Sequence, residues 1–206
     1  MGYRQWQSLM PAKNSKLEFH PLTPKRWRDF ENLFGDRGAC GGCWCMWPRL
    51  SRPQYEAQKG AQNKRAMKKL VDGGHRPGIL AYQNGDAIGW CSVAPRESFL
   101  RLERSRILKP VDEQPVWSVV CFFVAKEHRS GGLSAKLLRA AIDFVRQRGG
   151  RVIEGYPVEP SKRQADAFVW MGLASAFIKA GFKEVERRSE TRPIMRYEIR
   201  ANRRVR

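Results

Sequence analysis

Acidic residues are scarce in this chain. Only 20 Asp and Glu stand against 39 Lys and Arg in 206 residues, a formal net charge of +19. A field of that sign repels cations and draws polyanions, so nucleic acid, an acidic substrate or an anionic surface fits it. Solubility in a basic proteome accounts for the same excess with no partner at all. Long apolar runs are missing as well. The longest, Val119–Ala125, is far short of the roughly 20 residues that cross a bilayer. Met1 to Lys16 holds no apolar stretch suited to a secretory signal. The expectation is a cytoplasmic protein without a membrane segment. Cysteines number five, an odd count, and with no secretion signal reduced thiols are the default.

What is present is globular: 42% hydrophobic and 29% charged residues. The length suits one domain over residues 17–200, with an extension at 1–16 and a basic tail at 201–206. Leu17–Pro21 reads as a strand. Thr23 and Pro24 open a helix running to about Phe34, and Ser51 caps a second that reaches about Val71. That second helix carries Lys64/Lys68 and Arg65/Lys69 at i,i+4 spacing, like charges that repel unless solvated. Gly78–Tyr82 and Ala87–Val93 are strands joined through Asn84-Gly85, a hairpin signal. Pro95 to Pro115 is irregular. Val116–Val124 is a near-continuous apolar run, hence a buried strand. Leu133, Leu137, Leu138, Ala141, Ile142 and Val145 then fall on one helical face. Arg151–Tyr156 is a strand, Ala165–Lys179 a helix, and Lys183–Arg188 and Ile194–Ile199 are strands. The order predicts an α/β fold: a mixed, mostly antiparallel central sheet of about six or seven strands flanked by helices, with one parallel strand–helix–strand unit.

The chemistry concentrates in Val120-Cys-Phe-Phe-Val-Ala-Lys-Glu-His-Arg-Ser-Gly-Gly-Leu-Ser134. A buried strand feeds a loop of small residues that opens a helix. The first amides of a helix lack intrahelical partners and carry the positive end of its dipole. Gly131 and Gly132 let a phosphate approach the backbone, and Arg129 adds charge.

Arg129-Ser-Gly-Gly132-Leu-Ser134 resembles the motif of the GNAT N-acetyltransferases: Arg or Gln, two residues, Gly, one residue, then Gly or Ala. Phe177-Ile-Lys-Ala-Gly-Phe182 is similar to the superfamily's late helix-to-strand junction. The resemblance covers about Leu17 to Ile199 and implies acetyl-CoA as co-substrate. The strand at Phe122, Phe123 and Val124 would meet the pantetheine arm. The amides of Ser130, Gly131, Gly132, Leu133 and Ser134 would hold the pyrophosphate. Strands 116–124 and 151–156 would splay to admit the thioester, with a free N–H at Phe123 or Val124 facing the developing oxyanion. Three positions depart from the pattern. Ser134 replaces Gly or Ala, Phe177 stands where many relatives have a Tyr that protonates the leaving thiolate, and Trp170 lies near a usual Asn.

An amine acceptor is mostly protonated at neutral pH. For a lysine-like group, removing that proton costs roughly 4–5 kcal/mol, so direct attack in a ternary complex needs a base. Glu154 is the candidate, a carboxylate between apolar neighbours with a raised pKa; the other reading is an outward-facing strand residue paired with an Arg. Tyr156 shares its parity, and it either donates a proton to the thiolate or packs. Ser175 lies near the vacant Tyr position. In the resemblance, the Cys40–Trp47 segment walls the acceptor site, giving roles to Cys43, Trp44 and Trp47. The two indoles stack on the acceptor or belong to the core. His128 reads as a surface residue. Cys40, Cys43 and Cys45 could join His20, His75 or Cys91 around zinc, but no second Cys-x-x-Cys exists, so no metal is expected. No histidine neighbours these cysteines in sequence, which leaves a covalent cysteine nucleophile without a visible partner.

The reading is therefore an acetyltransferase for an amine-bearing acceptor, small, peptidic or RNA-linked. The alternative is a nucleic-acid-binding protein that keeps the fold with weak or no transfer activity. A zinc-stabilised interaction protein is a third. The chain is read as a monomer or homodimer.

Overall fold

The computed structural model describes residues 16–160 and 169–200. Most of the expected extension, the basic tail and the start of the expected helix at residues 165–168 lie outside them. The described residues hold one seven-stranded sheet in the order β1-β2-β3-β4-β5-β7-β6. Its strands are β1 (Leu17–Pro21), β2 (Gly78–Gln83), β3 (Asp86–Pro95), β4 (Trp117–Val124), β5 (Val152–Gly155), β6 (Lys183–Arg187) and β7 (Pro193–Glu198). Only β4 and β5 pair in parallel; every other neighbour is antiparallel. Asn84 and Gly85 both take positive φ, 54° and 89°, which matches a two-residue hairpin turn to the twist of β2 and β3.

The helices are α1 (Trp27–Phe34), α2 (Arg52–Gln58), α3 (Ala61–Asp72), the single turn α4 (Leu100–Glu103), α5 (Leu133–Arg146) and α6 (Ala174–Lys179). The apolar stripe of α5 is buried as its spacing predicts, with Ala135 and Phe144 added. It packs with Phe177 and Phe182 on the sheet residues Cys91, Val93, Val119 and Phe122. Each large aliphatic side chain buried there contributes roughly 1.5–3 kcal/mol. The opposite face is covered by α1, α3 and the loop 39–46, which enclose Leu80, Tyr82 and Trp90. A third cluster joins Phe99, Leu102 and Leu108 to Val120, Tyr156 and Ile194.

Two features of β4 shape its surroundings. Cys121 faces Ser92 and Val119 faces Val93, so Val120 has no opposite number and forms a β-bulge. This is why Val119 and Phe122, three apart, share one core. The parallel ladder with β5 stops at the pair Val119–Gly155, while β4 runs on to Val124. At Gly155 any Cβ would run into the ring of Phe177, so α6 lies directly on the end of β5.

The structure differs from expectation in four places. The second helix is two: Lys59 leaves helical geometry at ψ 141°, and Gly60 N–H donates to Gly42 O at 3.0 Å instead of continuing the ladder. The 95–115 segment contains α4. Among the described residues the late helix is α6, beginning at Ala174, because residues 169–172 form a turn and Leu173 bridges to Val158. Finally, the lysine stripe of α3 is not left to repel itself. Lys64 pairs with Glu31 of α1 at 2.7 Å and Lys68 with Asp72 at 2.6 Å.

Candidate active site

Where β4 outruns β5, a cleft of about 970 Å³ opens. Its walls are the end of β4, the 128–135 turn into α5, the loop 39–48, and the 169–179 turn and helix. That volume suits a large nucleotide-like ligand or a small one with room for a second.

The phosphate end is built from backbone. Ser130 and Gly132 both take positive φ, 63° and 72°, on either side of Gly131. Left-handed residues alternating in a loop make successive N–H groups converge. Gly132 is the N-cap of α5; no side chain caps it, and the first turn holds no acid. The helix start is thus open to an outside anion. Arg129 extends one N–H to the Val124 carbonyl, 3.0 Å away. Lys179 completes the positive rim: its Nζ is 3.9 Å from where a Cβ on Gly132 would stand. Sequence reading missed Lys179 because α6 and α5 meet only in three dimensions.

The strand end is partly committed. Phe122 N–H donates to Trp170 O at 2.7 Å, so the 169–172 turn occupies one amide expected for the pantetheine arm. Ala125 N–H donates to Ile88 O on β3. Alternation along the strand therefore gives the Phe123 N–H to β3 and turns the Val124 N–H toward the cleft that Val124 lines. Of the two oxyanion positions expected, Val124 has the suitable direction.

The cleft gathers Phe122, Phe123, Val124, Arg129, Ser130, Gly132, Leu133, Ser134, Ser175, Cys43 and Trp47. Gly131, Trp44, Glu154 and Tyr156 are not part of its lining. Trp44 is 3% exposed and stacks on Phe34 in the core, with ring centroids 5.7 Å apart. Trp47 does wall the cleft, but Arg101 of this chain already stacks on it at 3.4 Å and donates to its carbonyl at 2.7 Å. Tyr55 meets the same indole edge-on. His128, expected on the surface, also lines the cleft.

Glu154 is fully buried, yet its neighbours are ionic. Arg196 Nε donates to Oε2 at 2.5 Å, Tyr156 O–H donates to Oε1 at 2.6 Å, and Arg96 Nη1 lies 3.5 Å from Oε1. This corrects the expected apolar setting; the arginine pairing of the alternative is present, but the side chain is buried and not outward-facing. Tyr156 also accepts from Arg96 at 2.7 Å and bonds Ser118 at 2.8 Å. Burial and the adjacent Glu154 charge push its hydroxyl above the ordinary phenol range, so it acts as a hydrogen-bonding strut. Arg196 continues to Asp112 through two bonds, and Arg96 Nε sits 2.8 Å from Glu103 Oε1 without hydrogen-bond alignment. The cluster thereby ties the irregular 95–115 segment to β5 and β7.

The cysteine loop holds what the sequence did not disclose. Trp44 and Cys45 both take positive φ, 44° and 58°, an uncommon geometry for residues with side chains. Cys45 and Cys121 line the cleft together, and the Trp90 N–H donates to Cys45 Sγ at 3.2 Å. Cys121 read as one more apolar strand position, since a bulge leaves no mark in sequence. Burial pushes the Cys43 thiol up to about 11. Among the described residues no group of three or more His, Cys, Asp or Glu is placed to share a metal ion.

The family model of the Acetyltransferase (GNAT) family matches residues 44–169. Among curated proteins none matches the sequence. Solved structures do match in fold. A GNAT-family acetyltransferase from Listeria monocytogenes 4b F2365 superposes with a TM-score of 0.56 at 10% identity, over 92% of this chain and 99% of that one. One from Streptococcus agalactiae 2603 gives 0.53 at 9% identity, over 90% and 96%. At such identities the likeness speaks for the fold.

Proposed function

Because the chain belongs to the GNAT family of acetyltransferases, we propose that it moves an acetyl group from acetyl-CoA to the nitrogen of an amine acceptor. The observation that carries the reading is the uncapped start of α5 at Gly132, with Arg129 and Lys179 beside it, opening into the same cleft as the free end of β4. Those amides and cations fit a pyrophosphate, and the volume leaves space for an arm and an acceptor. Bound there, acetyl-CoA supplies an activated acyl carbon near the Val124 N–H, a donor suited to a tetrahedral oxyanion. The loop 39–48 forms the remaining wall and is the natural acceptor side, with Cys43 and Trp47 on it and Tyr55 of α2 beside them.

Glu154 is committed to two arginines and stands outside the cleft lining, so deprotonation of the amine falls to groups within it. Glu56 and His128 are present there. Ser175, exposed at the cleft wall, replaces the missing phenol as a hydroxyl near the leaving thiolate. The net charge of +19 favours an acceptor that is acidic or linked to RNA.

Acetyl-CoA should raise the melting temperature by mass action, and an amine panel followed by released CoA thiol should identify acceptors. No thermal shift at saturating acetyl-CoA would remove this function. Binding to RNA that falls steeply with salt, together with no acetylation of any amine, would favour the nucleic-acid alternative.

A further inference from the structure

Cys40-Gly-Gly-Cys43 places two thiols at the ends of a two-glycine turn. Cys43 N–H donates to Cys40 O at 3.1 Å, and Gly41 and Gly42 both take positive φ, 55° and 71°. That is a turn of the I′ kind, which brings the Cα atoms of its first and fourth residues within about 7 Å. A disulfide spans Cα atoms roughly 4.4–6.8 Å apart. The turn is also pinned. Gly42 O accepts from Gly60 N–H at 3.0 Å and from the amide of buried Asn63 at 3.2 Å. A Cβ on Gly42 would stand 2.5 Å from the Gly60 nitrogen, so this side is closed against the start of α3. A Cβ on Gly41 would meet nothing within 4 Å, so the other side is open. The backbone therefore holds Cys40 and Cys43 together before any bond joins them.

Both are free thiols, and both line the cleft. A Cys-x-x-Cys pair serves a metal or a dithiol couple. Among the described residues no third ligand joins these two to share a metal ion, so each has the other as its partner. They differ in access. Cys40 is exposed, whereas Cys43 is half-buried. The Cys43 S–H donates to Gly38 O at 3.6 Å, and its sulfur accepts from Cys45 N–H at 3.4 Å. Gly38 O also accepts from Trp44 N–H at 3.2 Å. The Cys43 sulfur is thus wired to the left-handed pair Trp44-Cys45, in the stretch of wall that leads to Trp47. A solvent-borne oxidant meets the exposed Cys40 first.

We propose that Cys40 and Cys43 form a reversible disulfide that weakens use of the acceptor and leaves acetyl-CoA binding intact. The effect on transfer rests on the acetyltransferase reading; the bond itself does not. The oxidant is a small disulfide of the glutathione class. The Cys40 thiolate attacks one of its sulfurs, the small S–S bond breaks, and the first glutathione leaves with the proton that Cys40 gave up. The Cys43 thiol then loses its proton, its sulfur attacks Cys40 Sγ, and the second glutathione leaves with that proton. Two protein thiols are oxidised and one small disulfide is reduced to two thiols; excess reduced glutathione reverses both steps. Closing the bond takes the Cys43 hydrogen from Gly38 O and draws the exposed Cys40 sulfur in along the acceptor wall. The α5 start lies outside this turn.

The test incubates the full chain with glutathione disulfide, blocks the remaining thiols with iodoacetamide under denaturing conditions, and maps the tryptic peptide 38–49, which holds Cys40, Cys43 and Cys45. The expected product lacks two hydrogens, is alkylated only on Cys45, and gives no fragments between Cys40 and Cys43 until reduced. In the oxidised chain kcat/KM for an amine acceptor should fall roughly tenfold and return with dithiothreitol, while acetyl-CoA raises the melting temperature as before. Cys40→Ser and Cys43→Ser should form no internal disulfide, and their transfer rates should not respond as the wild type does. A peptide that stays fully alkylated, stops at a mixed disulfide or pairs Cys45 overturns the proposal. So does a Cys40–Cys43 bond that leaves amine kinetics unchanged. A reduced chain with no thermal response to acetyl-CoA removes the function instead, and the peptide mass still decides the bond. The wild-type measurements stand even if a variant fails to fold.

Discussion

Two regions bury polar groups away from the α5 core and end in opposite states. Around Glu154 both carboxylate oxygens are answered, and Tyr156 spends its hydrogen and its lone pairs on Glu154, Arg96 and Ser118. Around Arg49 the pairing is incomplete: Nη1 reaches the Ser98 carbonyl at 3.5 Å, while the buried Nε and Nη2 have no hydrogen bond among the described residues. Burying charge is tolerable only when it is paired. The first region obeys that rule and fastens the 95–115 segment. The second does not: its guanidinium stacks on Phe99, 4.5 Å from the ring centroid, with two nitrogens unanswered among the described residues. The carboxylate expected between apolar neighbours is instead held by two arginines and a phenol.

The contrast can be broken from either side. The largest effect should come from Gly132→Glu, which sets a negative charge and a strained side chain at φ 72° among the anion-binding amides. Acetyl-CoA affinity measured by calorimetry should fall about 100-fold or more, roughly 3 kcal/mol; unchanged affinity would dismiss the α5 site. Next is Glu154→Gln, which should cost about 2–3 kcal/mol in chemical denaturation and leave acetyl-CoA affinity intact. Full stability with a loss of turnover that deepens at low pH would restore Glu154 as the base and erase the contrast.

Smaller effects come from titration. The Arg196 hydrogen bond holds Asp112 below its ordinary value. The folded carboxyl therefore ionises at lower pH than the unfolded one, and in that window the unfolded chain binds more protons. The contribution is complete above about pH 4 and drains as pH falls through the folded value. Asp112 is 39% exposed, so screening holds it under about 1 kcal/mol. Asp112→Asn should flatten the acid limb of the melting curve by that amount. Smallest in stability is Arg49→Met, expected within about 1 kcal/mol of wild type because it removes an unanswered charge. A loss in chemical denaturation as large as that of Glu154→Gln would show the two regions to be equally paired.

Most of the sheet was legible because its signals are local. Asn84-Gly85 fixes a turn whatever surrounds it, the α5 stripe states its buried face, and the Val116–Val124 run can only be interior. The glycine turn after β4, where the candidate anion site lies, was legible for the same reason. What escaped depends on partners remote in sequence. Arg96 and Arg196 come to Glu154 from other strands, Trp90 comes to Cys45 across the sheet, and Lys179 reaches the α5 turn from α6. The break at Lys59-Gly60 was hidden because its cause is the Gly42 carbonyl, which lies in another loop. Trp44 and Trp47, three residues apart in one motif, part ways because a left-handed backbone turns one inward.

The placement of the tryptophans has a spectroscopic consequence. Trp47 and Trp170 stand in the cleft wall, while Trp44 and Trp90 are sealed in the interior. Any molecule that fills the cavity must change the polarity around the first two indoles and leave the second two as they were. Emission from the unlabelled chain should then report occupancy directly, with the sealed pair as an internal standard.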